Sequence, residues 1–378
     1  MSDPAPAFDT FFVPGPTDVR PEVLQATARP MIVHRSADFS AMFRRAQAGL
    51  KVIFGTGQPV LIATSSSTGL MEGAIRNAPP GRVFSLVNGG FSDRFARIAA
   101  ACGRSVDRYE VPWGEAHNPS EVARRLMGGE YSTVTVVHSE TSTGVLNDVR
   151  AISDAAHAAG AVCCIDSVSG IRGAELRFDD WHLDFVLTGS QKAIALPPGL
   201  AFGVASPSFL AAGQRDGRGV YFDFSEIVGA ANRDEAPNTP ALPIYYALDQ
   251  QLPWILSEGI EAAWARHAAM AEMTVQWVDE LRASGDVDLS IIATEGHRSP
   301  TVTAISLPSG LAPETVIRGA AERGYTVGAG YGKLQPTTIR IGHMGDHTLA
   351  GLARCLEVVG GVIASAAGAR RVAAPVPA

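Results

Sequence analysis

The chain has 378 residues, 46% of them hydrophobic, and a formal net charge of -7. A length above roughly 250 to 300 residues predicts one large domain with a smaller one beside it. The acidic balance gives no basic surface, so it argues against nucleic acid or a membrane as a partner and favours small soluble molecules.

The four cysteines predict neither a zinc site nor a disulfide framework. Cys102, Cys163, Cys164 and Cys355 form no CxxC pair and have no His-rich spacing beside them. Cys163 and Cys164 lie in an apolar run and are predicted as core residues. The first residues, "MSDPAPAFDT", lack the charged and apolar regions of a signal peptide. We expect a protein of the reducing cytoplasm.

From about residue 59, short apolar runs alternate with Ala-rich stretches of helical spacing, such as Ser92 to Ala101 and Val149 to Ala159. The strand candidates are "PVLIAT", "RVFSLV", "TVTVVH", "AVCCID", "DFVLTG" and "LAFGVA". Continuous apolar strands separated by helices indicate an α/β fold, with a largely parallel sheet covered by helices on both faces.

Small polar loops follow five of these strands. In chain order they are "SSSTG", "NGGF", "SETSTG", "DSVSG" and "GSQK". Open α/β sheets bind their ligands at the carboxyl ends of the strands. The five loops together therefore predict one shared site.

The pattern changes after about Pro253. A long helix from Glu258 to Ser284, the segment "SPTVTAISLP", a helix from Glu314 to Arg323 and "TTIRIG" indicate a smaller α+β domain. We place the large domain at residues 21–254, the small domain at 255–366 and a disordered tail at 367–378.

Lys192, in "LTGSQKAIALPP", is one of only three lysines in a chain with 31 lysines and arginines. Arginine serves almost everywhere as the positive charge, so a retained lysine suggests chemistry that arginine cannot perform. An ε-amine can lose its proton and form a Schiff base with an aldehyde, whereas a guanidinium stays charged.

Each of four further residues has two interpretations. Asp166, which ends "AVCCID", either caps the next turn or pairs with a protonated pyridine nitrogen. Phe91 either packs in the core or stacks on a flat ligand. Ser67, in "TSSSTG", either caps a helix or helps cradle a phosphate. Arg340, in "TTIRIG", is either a surface charge or a bidentate carboxylate ligand.

The glycine-rich segment "GAGYGK" resembles a nucleotide-binding loop. It lies near the chain end and is followed by "LQPTT", with no helix start to hold a pyrophosphate. We interpret it as a substrate-side loop of the small domain.

The ordered motifs resemble the class V pyridoxal-phosphate aminotransferases, in particular the serine–pyruvate and alanine–glyoxylate branch. The resemblance runs from "VPGPTDV" near residue 13 to "RIGHMGD" near residue 346 and includes "SSSTG", "NGGF", "SETSTGV", "DSVSG" and "GSQKAIALPPG". It implies PLP fold type I, with a mostly parallel seven-stranded sheet in the large domain and a smaller C-terminal α+β domain. It also implies an N-terminal segment, residues 1–20, near the active site, and a homodimer with the site at the subunit interface.

The same resemblance implies roles for individual residues around pyridoxal 5'-phosphate. Lys192 would be the Schiff-base lysine and Asp166 the partner of the pyridine nitrogen. Thr141 would bond the ring hydroxyl. Phe91 and Val168, judged from their own positions after the strands, would lie against the two faces of the ring. The phosphate would be held by Ser66, Ser67, Thr68 and Gln191.

Two substrate contacts and one interface contact follow in the same way. Arg340 would grip the substrate α-carboxylate, and the backbone of Gly15 would lie near the substrate. In "PNTP", Asn238 and Thr239 would reach the phosphate of the partner subunit. Many relatives carry a tyrosine just before this segment where this chain has Pro237, which weakens that part of the match.

The expected reaction is a ping-pong transfer of an amino group from alanine or serine to glyoxylate or pyruvate, without a metal. A pyridoxamine–pyruvate transaminase and another class V enzyme such as a lyase stay open as alternatives. A desulfurase fits poorly, because no cysteine lies between Cys164 and Cys355. An NAD-dependent enzyme would need a GxGxxG turn after the first strand, and a non-enzymatic cofactor-bearing protein is the remaining alternative.

Overall fold

Helices and strands alternate along most of the chain. The structure, a computed structural model, describes residues 8–213, 217–283 and 287–373. The strands are β1 (Phe11–Phe12), β2 (Val60–Thr64), β3 (Val83–Val87), β4 (Val106–Glu110), β5 (Thr133–Val137), β6 (Ser139–Glu140), β7 (Val145–Leu146), β8 (Val162–Asp166), β9 (Phe185–Gly189), β10 (Leu200–Ala205), β11 (Ser290–Ile291), β12 (Val302–Ser306), β13 (Thr326–Ala329) and β14 (Thr338–Gly342). The helices are α1 (Pro21–Ala26), α2 (Ala37–Phe54), α3 (Ser67–Asn77), α4 (Gly90–Ala101), α5 (Pro119–Leu126), α6 (Val149–Ala158), α7 (Pro207–Ala212), α8 (Phe224–Ala231), α9 (Leu242–Glu258), α10 (Ile260–Ala283), α11 (Pro313–Ala321) and α12 (Leu349–Ala373).

The larger sheet contains seven strands in the order β2-β10-β9-β8-β5-β3-β4. Strand β10 runs antiparallel to both of its neighbours, and the remaining strand pairs are parallel. The predicted α/β class and mostly parallel seven-stranded sheet are therefore confirmed. Because β2, β3, β5, β8 and β9 run the same way, their carboxyl ends meet along one edge.

Helices cover both faces of this sheet. On one face, apolar side chains of α2, α5, α6 and α9 join those of the strands in a single core. On the other face, α3, α4, α7 and α8 do the same. Strands buried on both faces need continuous apolar sequence, which is why five-residue runs such as Val83–Val87 are buried throughout. This packing holds the carboxyl edge of the sheet in place.

A second sheet contains five strands in the order β1-β13-β14-β12-β11. Strand β1 pairs in parallel with β13, so Phe11 lies opposite Thr326 although the two are far apart in sequence. Helices α10, α11 and α12 pack on this sheet and form a separate core with it. The N-terminal segment is thus tied to the C-terminal sheet.

Helix α12 contains a stretch, Leu349–Gly368, that is long and apolar enough by length and composition to cross a membrane. Leu352, Cys355 and Val359 on this helix are fully buried in the core of the second sheet. The core helices of globular proteins can be equally long and apolar, and helix α12 packs as such a core helix.

The C-terminal tail is predicted to begin at residue 367, and helix α12 continues through Ala373. The disorder of residues 367–378 stays a prediction. The Ala-rich sequence "ASAAGARRVA" has a high helix propensity, which accounts for the continuation. Residues 374–378 lie outside the described part of the chain.

Candidate active site

The carboxyl edge of the larger sheet holds a cavity of about 210 Å³. The segments that follow β2, β3, β5, β8 and β9 all contribute to its lining. Of the predicted site residues, the cavity brings together Ser66, Ser67, Thr68, Phe91, Thr141, Asp166, Val168, Gln191 and Lys192. It also includes four that were not predicted: Met71, Arg94, Ser139 and Ser169.

Lys192 follows strand β9 and lies buried at the cavity. Its position is fixed by a turn in which the Ala195 N–H donates to the Lys192 carbonyl at 2.8 Å, and its Nζ donates to the Pro14 carbonyl. Burial, together with the positive charge of Arg340, lowers the pKa of Lys192 to about 7. The amine can therefore lose its proton near neutral pH.

Asp166 ends strand β8 and is only 2% exposed. One carboxylate oxygen, Oδ1, accepts the Val168 N–H at 2.8 Å. Burial raises the pKa of Asp166 to about 7. A cation placed against this carboxylate would favour its ionised form, because an opposite charge offsets the cost of burial.

Helix α3 begins at the cavity with Ser67, and Ser66 is its N-cap. The Ser67 hydroxyl is buried without a hydrogen-bond partner among the described residues. A Cβ at Gly189 would come within 2.3 Å of that hydroxyl, so the glycine keeps this corner open. The unpaired hydroxyl and the helix N-terminus together suit an anion.

Phe91 and Val168 supply apolar surface to the cavity. The Phe91 ring stacks on Tyr331, with centroids 5.0 Å apart. Thr141 lies on another wall, where its hydroxyl bonds the Ser169 hydroxyl at 2.6 Å. A flat polar ring could lie in this space with an aromatic contact and a hydroxyl partner.

Arg340 approaches Lys192 from strand β14 of the second sheet, although it is not among the residues that line the cavity. Its Nε donates to the Ala329 carbonyl at 2.7 Å, and its Nη1 donates to the Thr141 carbonyl at 3.1 Å. Burial lowers the pKa of Arg340 to about 10, which leaves it charged at neutral pH. A cation thus lies close enough to act on Lys192, where a substrate carboxylate could bind.

Gly15 packs directly against Lys192. A Cβ at this glycine would lie 2.7 Å from Lys192 Nζ, and its φ of +112° is one that other residues rarely adopt. The backbone of the N-terminal segment therefore lies directly against the Lys192 amine at Gly15, which has no side chain.

Asn238 and Thr239 do not line the cavity of their own subunit. They are exposed beside Thr64 and Tyr221, in a different depression of the surface. The Ala241 N–H donates to the Thr64 hydroxyl at 3.1 Å and anchors this segment to the end of β2. Their contact with a partner subunit stays a prediction, and so does the effect of Pro237.

Arg94 was not predicted from the sequence. It donates to the Thr68 hydroxyl at 3.4 Å and to the Tyr331 hydroxyl at 3.0 Å, and it lies 4.8 Å from the Phe91 ring centroid. No carboxylate of the described chain lies within ion-pair distance of it. The available signal was its i+3 spacing from Phe91, which places both on one face of a helix.

Glu140, also missed, organises the start of helix α4. Its carboxylate is fully buried and accepts the Ser92 N–H and the Ser92 hydroxyl, each at 2.9 Å, and the Ser142 hydroxyl at 2.7 Å. These bonds satisfy N–H groups that a helix start leaves free. Glu140 thereby fixes the backbone that presents Phe91.

The cavity fits pyridoxal phosphate in its donor groups. The unpaired Ser67 hydroxyl at the helix start suits a phosphate, the buried Asp166 carboxylate suits a protonated ring nitrogen, and the Lys192 amine suits an aldehyde. Three chemically distinct parts of the cofactor thus find matching partners in one cavity.

The chain is similar to known aminotransferases over most of its length. It is 34% identical over 348 residues to L-aspartate–glyoxylate aminotransferase of Paracoccus denitrificans, covering 89% of this chain and 86% of the relative. It is 33% identical over 356 residues to serine–glyoxylate aminotransferase of Methylorubrum extorquens, covering 90% and 87%. The crystal structure of pyridoxamine-pyruvate aminotransferase from Mesorhizobium loti superposes with a TM-score of 0.86 at 27% identity, covering 97% of this chain and 93% of the other.

The sequence profile of the family Aminotransferase class-V matches residues 15–349. This range contains Gly15, the cavity-lining residues and Arg340. The chain is therefore a member of the class-V aminotransferases, a family of pyridoxal-phosphate-dependent enzymes.

Proposed function

We propose that this aminotransferase moves an amino group from alanine or serine to glyoxylate or pyruvate in a ping-pong cycle. One observation carries the proposal: Lys192, a cavity-lining lysine with a lowered pKa, lies close enough to Arg340 of the second sheet for the two charges to interact. The first can move a proton and the second can hold a carboxylate.

The chain's own residues supply binding and proton transfer. Arg340 holds the substrate α-carboxylate and so orients the α-carbon towards Lys192. The Lys192 amine, which can lose its proton near pH 7, would take the α-proton and would deliver a proton to the aldehyde carbon of the cofactor. Asp166 stabilises a positive charge on the ring nitrogen. Pyridoxal phosphate, when bound, supplies the aldehyde and the electron-withdrawing ring.

The size of the cavity favours a small substrate. Its volume of about 210 Å³ lies below the range of roughly 300 to 1,000 Å³ typical of ligand pockets. The cofactor would occupy much of this space. A methyl or hydroxymethyl side chain fits what is left better than a long or aromatic one, and the relative named serine–glyoxylate aminotransferase supports the same choice.

Arg94 favours a second candidate, a dicarboxylic amino donor. Its guanidinium bonds only hydroxyl groups and an aromatic ring among the described residues, so its charge is free to meet an anion. The relative named L-aspartate–glyoxylate aminotransferase supports this candidate.

The pyridoxamine–pyruvate alternative finds less support in the cavity. A substrate without phosphate would leave the buried Ser67 hydroxyl unpaired, which is costly. Class V membership is the finding against the NAD-dependent and non-enzymatic alternatives. A class V lyase would use the same Lys192 and Asp166.

A donor panel tests the proposed function. We expect alanine or serine to give the highest kcat/KM with glyoxylate, followed through release of the donor's oxo acid. The Arg94→Gln variant serves as the discriminating control. A preference for aspartate that Arg94→Gln removes would establish the second candidate instead, and no amino transfer from any of the three donors would refute both.

Arg340→Lys should lower kcat/KM for alanine by about 10²-fold. Lysine keeps the positive charge but cannot bind a carboxylate through bidentate hydrogen bonds. Breaking a buried charged pair costs on the order of 2 to 5 kcal/mol. The measurement is the initial rate with alanine beside the rate with ethylamine, which has no carboxylate. Equal losses with both amines would contradict the assignment of Arg340 to the carboxylate.

A further inference from the structure

A buried cluster of charged groups lies beside the segment that follows Lys192, and none of its members lines the cavity. At its centre Asp346 and Arg172 are 5% and 2% exposed. Arg172 Nη2 donates to Asp346 Oδ1 at 2.9 Å and to Glu258 Oε2 at 2.8 Å. Although burial by itself would raise it, the charge of Arg172 with bonds from Gln251 and Arg20 holds the pKa of Asp346 at about 2. The carboxylate is therefore charged throughout the neutral range.

Two members of this cluster hold the backbone that follows Lys192. Arg172 Nη1 donates to the Ala193 carbonyl at 2.6 Å. Gln251 Nε2 donates to the Ile194 carbonyl at 3.2 Å and to Asp346 Oδ2 at 2.7 Å. One carboxylate thus orients both side chains that bind the first two carbonyls after the lysine.

The turn that they hold is strained. Ala195 has a φ of 57°, in the left-handed region that a residue with a Cβ rarely adopts. Such a conformation persists only where its surroundings enforce it. The hydrogen bonds that Arg172 and Gln251 donate to the backbone carbonyls help to hold this turn in its conformation.

Asp346 also joins the other two parts of the site. It lies six positions after Arg340, just beyond strand β14. Its Oδ2 accepts Arg20 Nε at 2.7 Å, and Arg20 follows the N-terminal segment that covers Lys192 with Gly15. The amine, its cover and the carboxylate-binding strand therefore share one buried anchor.

We propose that Asp346 is a positioning residue, which acts through Arg172 and Gln251 to hold the 193–195 turn and so fixes the Lys192 amine at the cavity. The inference rests on the proposed function for the role of Lys192. It goes beyond that function in assigning the geometry of the amine to a carboxylate that contacts neither cofactor nor substrate.

The pKa of Lys192 reports this role. The charged groups that act on Lys192 are Arg340, Asp166, Arg94 and Glu140, and Asp346 is not one of them. Removing the charge of Asp346 therefore changes the Lys192 pKa only if the amine moves relative to its burying surroundings and these four groups. The lysine loses less water when it is held less deeply, so its pKa would rise towards the ordinary value of about 10.4.

The experiment measures, in cofactor-free protein, how fast an amine-reactive acylating reagent modifies each lysine as a function of pH. Mass spectrometry separates Lys192 from Lys51 and Lys333, which serve as internal references. Only the neutral amine reacts, so the rate rises with pH through the pKa, near 7 for Lys192 in the unchanged protein. Asp346→Asn should raise that midpoint by about one pH unit or more, which corresponds to a tenfold change in the protonation equilibrium.

Asp9→Asn is the matched control. Asp9 is also buried, and its Oδ1 bonds Nδ1 of His347, the residue directly after Asp346, at 2.8 Å. It does not contact the 193–195 turn. In Asp9→Asn, the pH midpoint for acylation of Lys192 should equal that of the unchanged protein. Gln251→Leu is the second variant, because it removes the Ile194 contact without leaving a buried charge unpaired, and it should shift the midpoint in the same direction by less.

The outcomes separate the two claims. A Lys192 midpoint unchanged in folded Asp346→Asn refutes the positioning role, and if that variant does not fold, an unchanged midpoint in Gln251→Leu refutes it. Because acylation needs no turnover, this result stands whether or not the donor panel finds amino transfer. A midpoint shift together with an inactive unchanged protein would support the positioning role and refute the proposed function.

Discussion

Lys192→Ala should lower the rate of amino transfer by about 10⁴-fold or more. The substitution removes both the amine that binds the cofactor aldehyde and the base that moves the α-proton, and proton transfer alone contributes about 10² to 10⁴. The fold should survive, since alanine fits the space that the longer side chain leaves. The measurement is a single turnover of the cofactor-loaded protein with alanine, followed by the release of pyruvate.

Lys192→Arg is the matched variant for this prediction. It restores a long cationic side chain, but a guanidinium does not deprotonate near neutral pH. We therefore expect it to be as inactive as the alanine variant. If arginine restored a tenth of the activity, a positive charge rather than a titrating amine would be the requirement at this position.

Asp166→Asn should lower kcat by about 10³-fold. Asparagine has nearly the same shape and its side-chain oxygen can still accept the Val168 N–H, so the local fold is expected to persist. A neutral amide cannot stabilise a protonated ring nitrogen, and losing one partner of a buried charged pair costs on the order of 2 to 5 kcal/mol. Steady-state rates with alanine and glyoxylate measure the effect.

Asp184→Asn is the control for Asp166. Asp184 is also a buried acid of the larger sheet, but it accepts the Cys163 N–H and bonds His157 just before strand β9, at the edge opposite the cavity. Its replacement should change stability more than kcat. Comparable losses of kcat in the two variants would mean that Asp166 acts through the sheet rather than on the cofactor.

Most of the larger domain could be predicted from local sequence. Strands buried on both faces require unbroken apolar runs, and the six predicted runs correspond to β2, β3, β5, β8, β9 and β10. Five of these six strands run in the same direction, so the loops that follow them lie together, and nine predicted residues line one cavity. Strand β4, with the sequence "VDRYE", was missed because an edge strand that is half exposed carries charged residues.

The remaining features depend on contacts between distant segments. Strand β1 has only two residues, too few to show the alternating pattern of a strand. The sequence therefore does not predict that Phe11 pairs with Thr326. Arg172 is almost fully buried, although a chain rich in arginine predicts a solvated surface charge at such a position. Its partner Asp346 lies 174 residues away, so the sequence offers no spacing by which to connect them.

The central claim is that Lys192 is the amine that reacts with the cofactor in this cavity. The most direct test is to load the protein with pyridoxal phosphate, reduce it with borohydride and locate the modified lysine by mass spectrometry. The chain has three lysines, Lys51, Lys192 and Lys333, so the assignment is unambiguous. We predict stoichiometric labelling of Lys192 alone, and labelling of Lys51 or Lys333, or no labelling of Lys192, would contradict the claim.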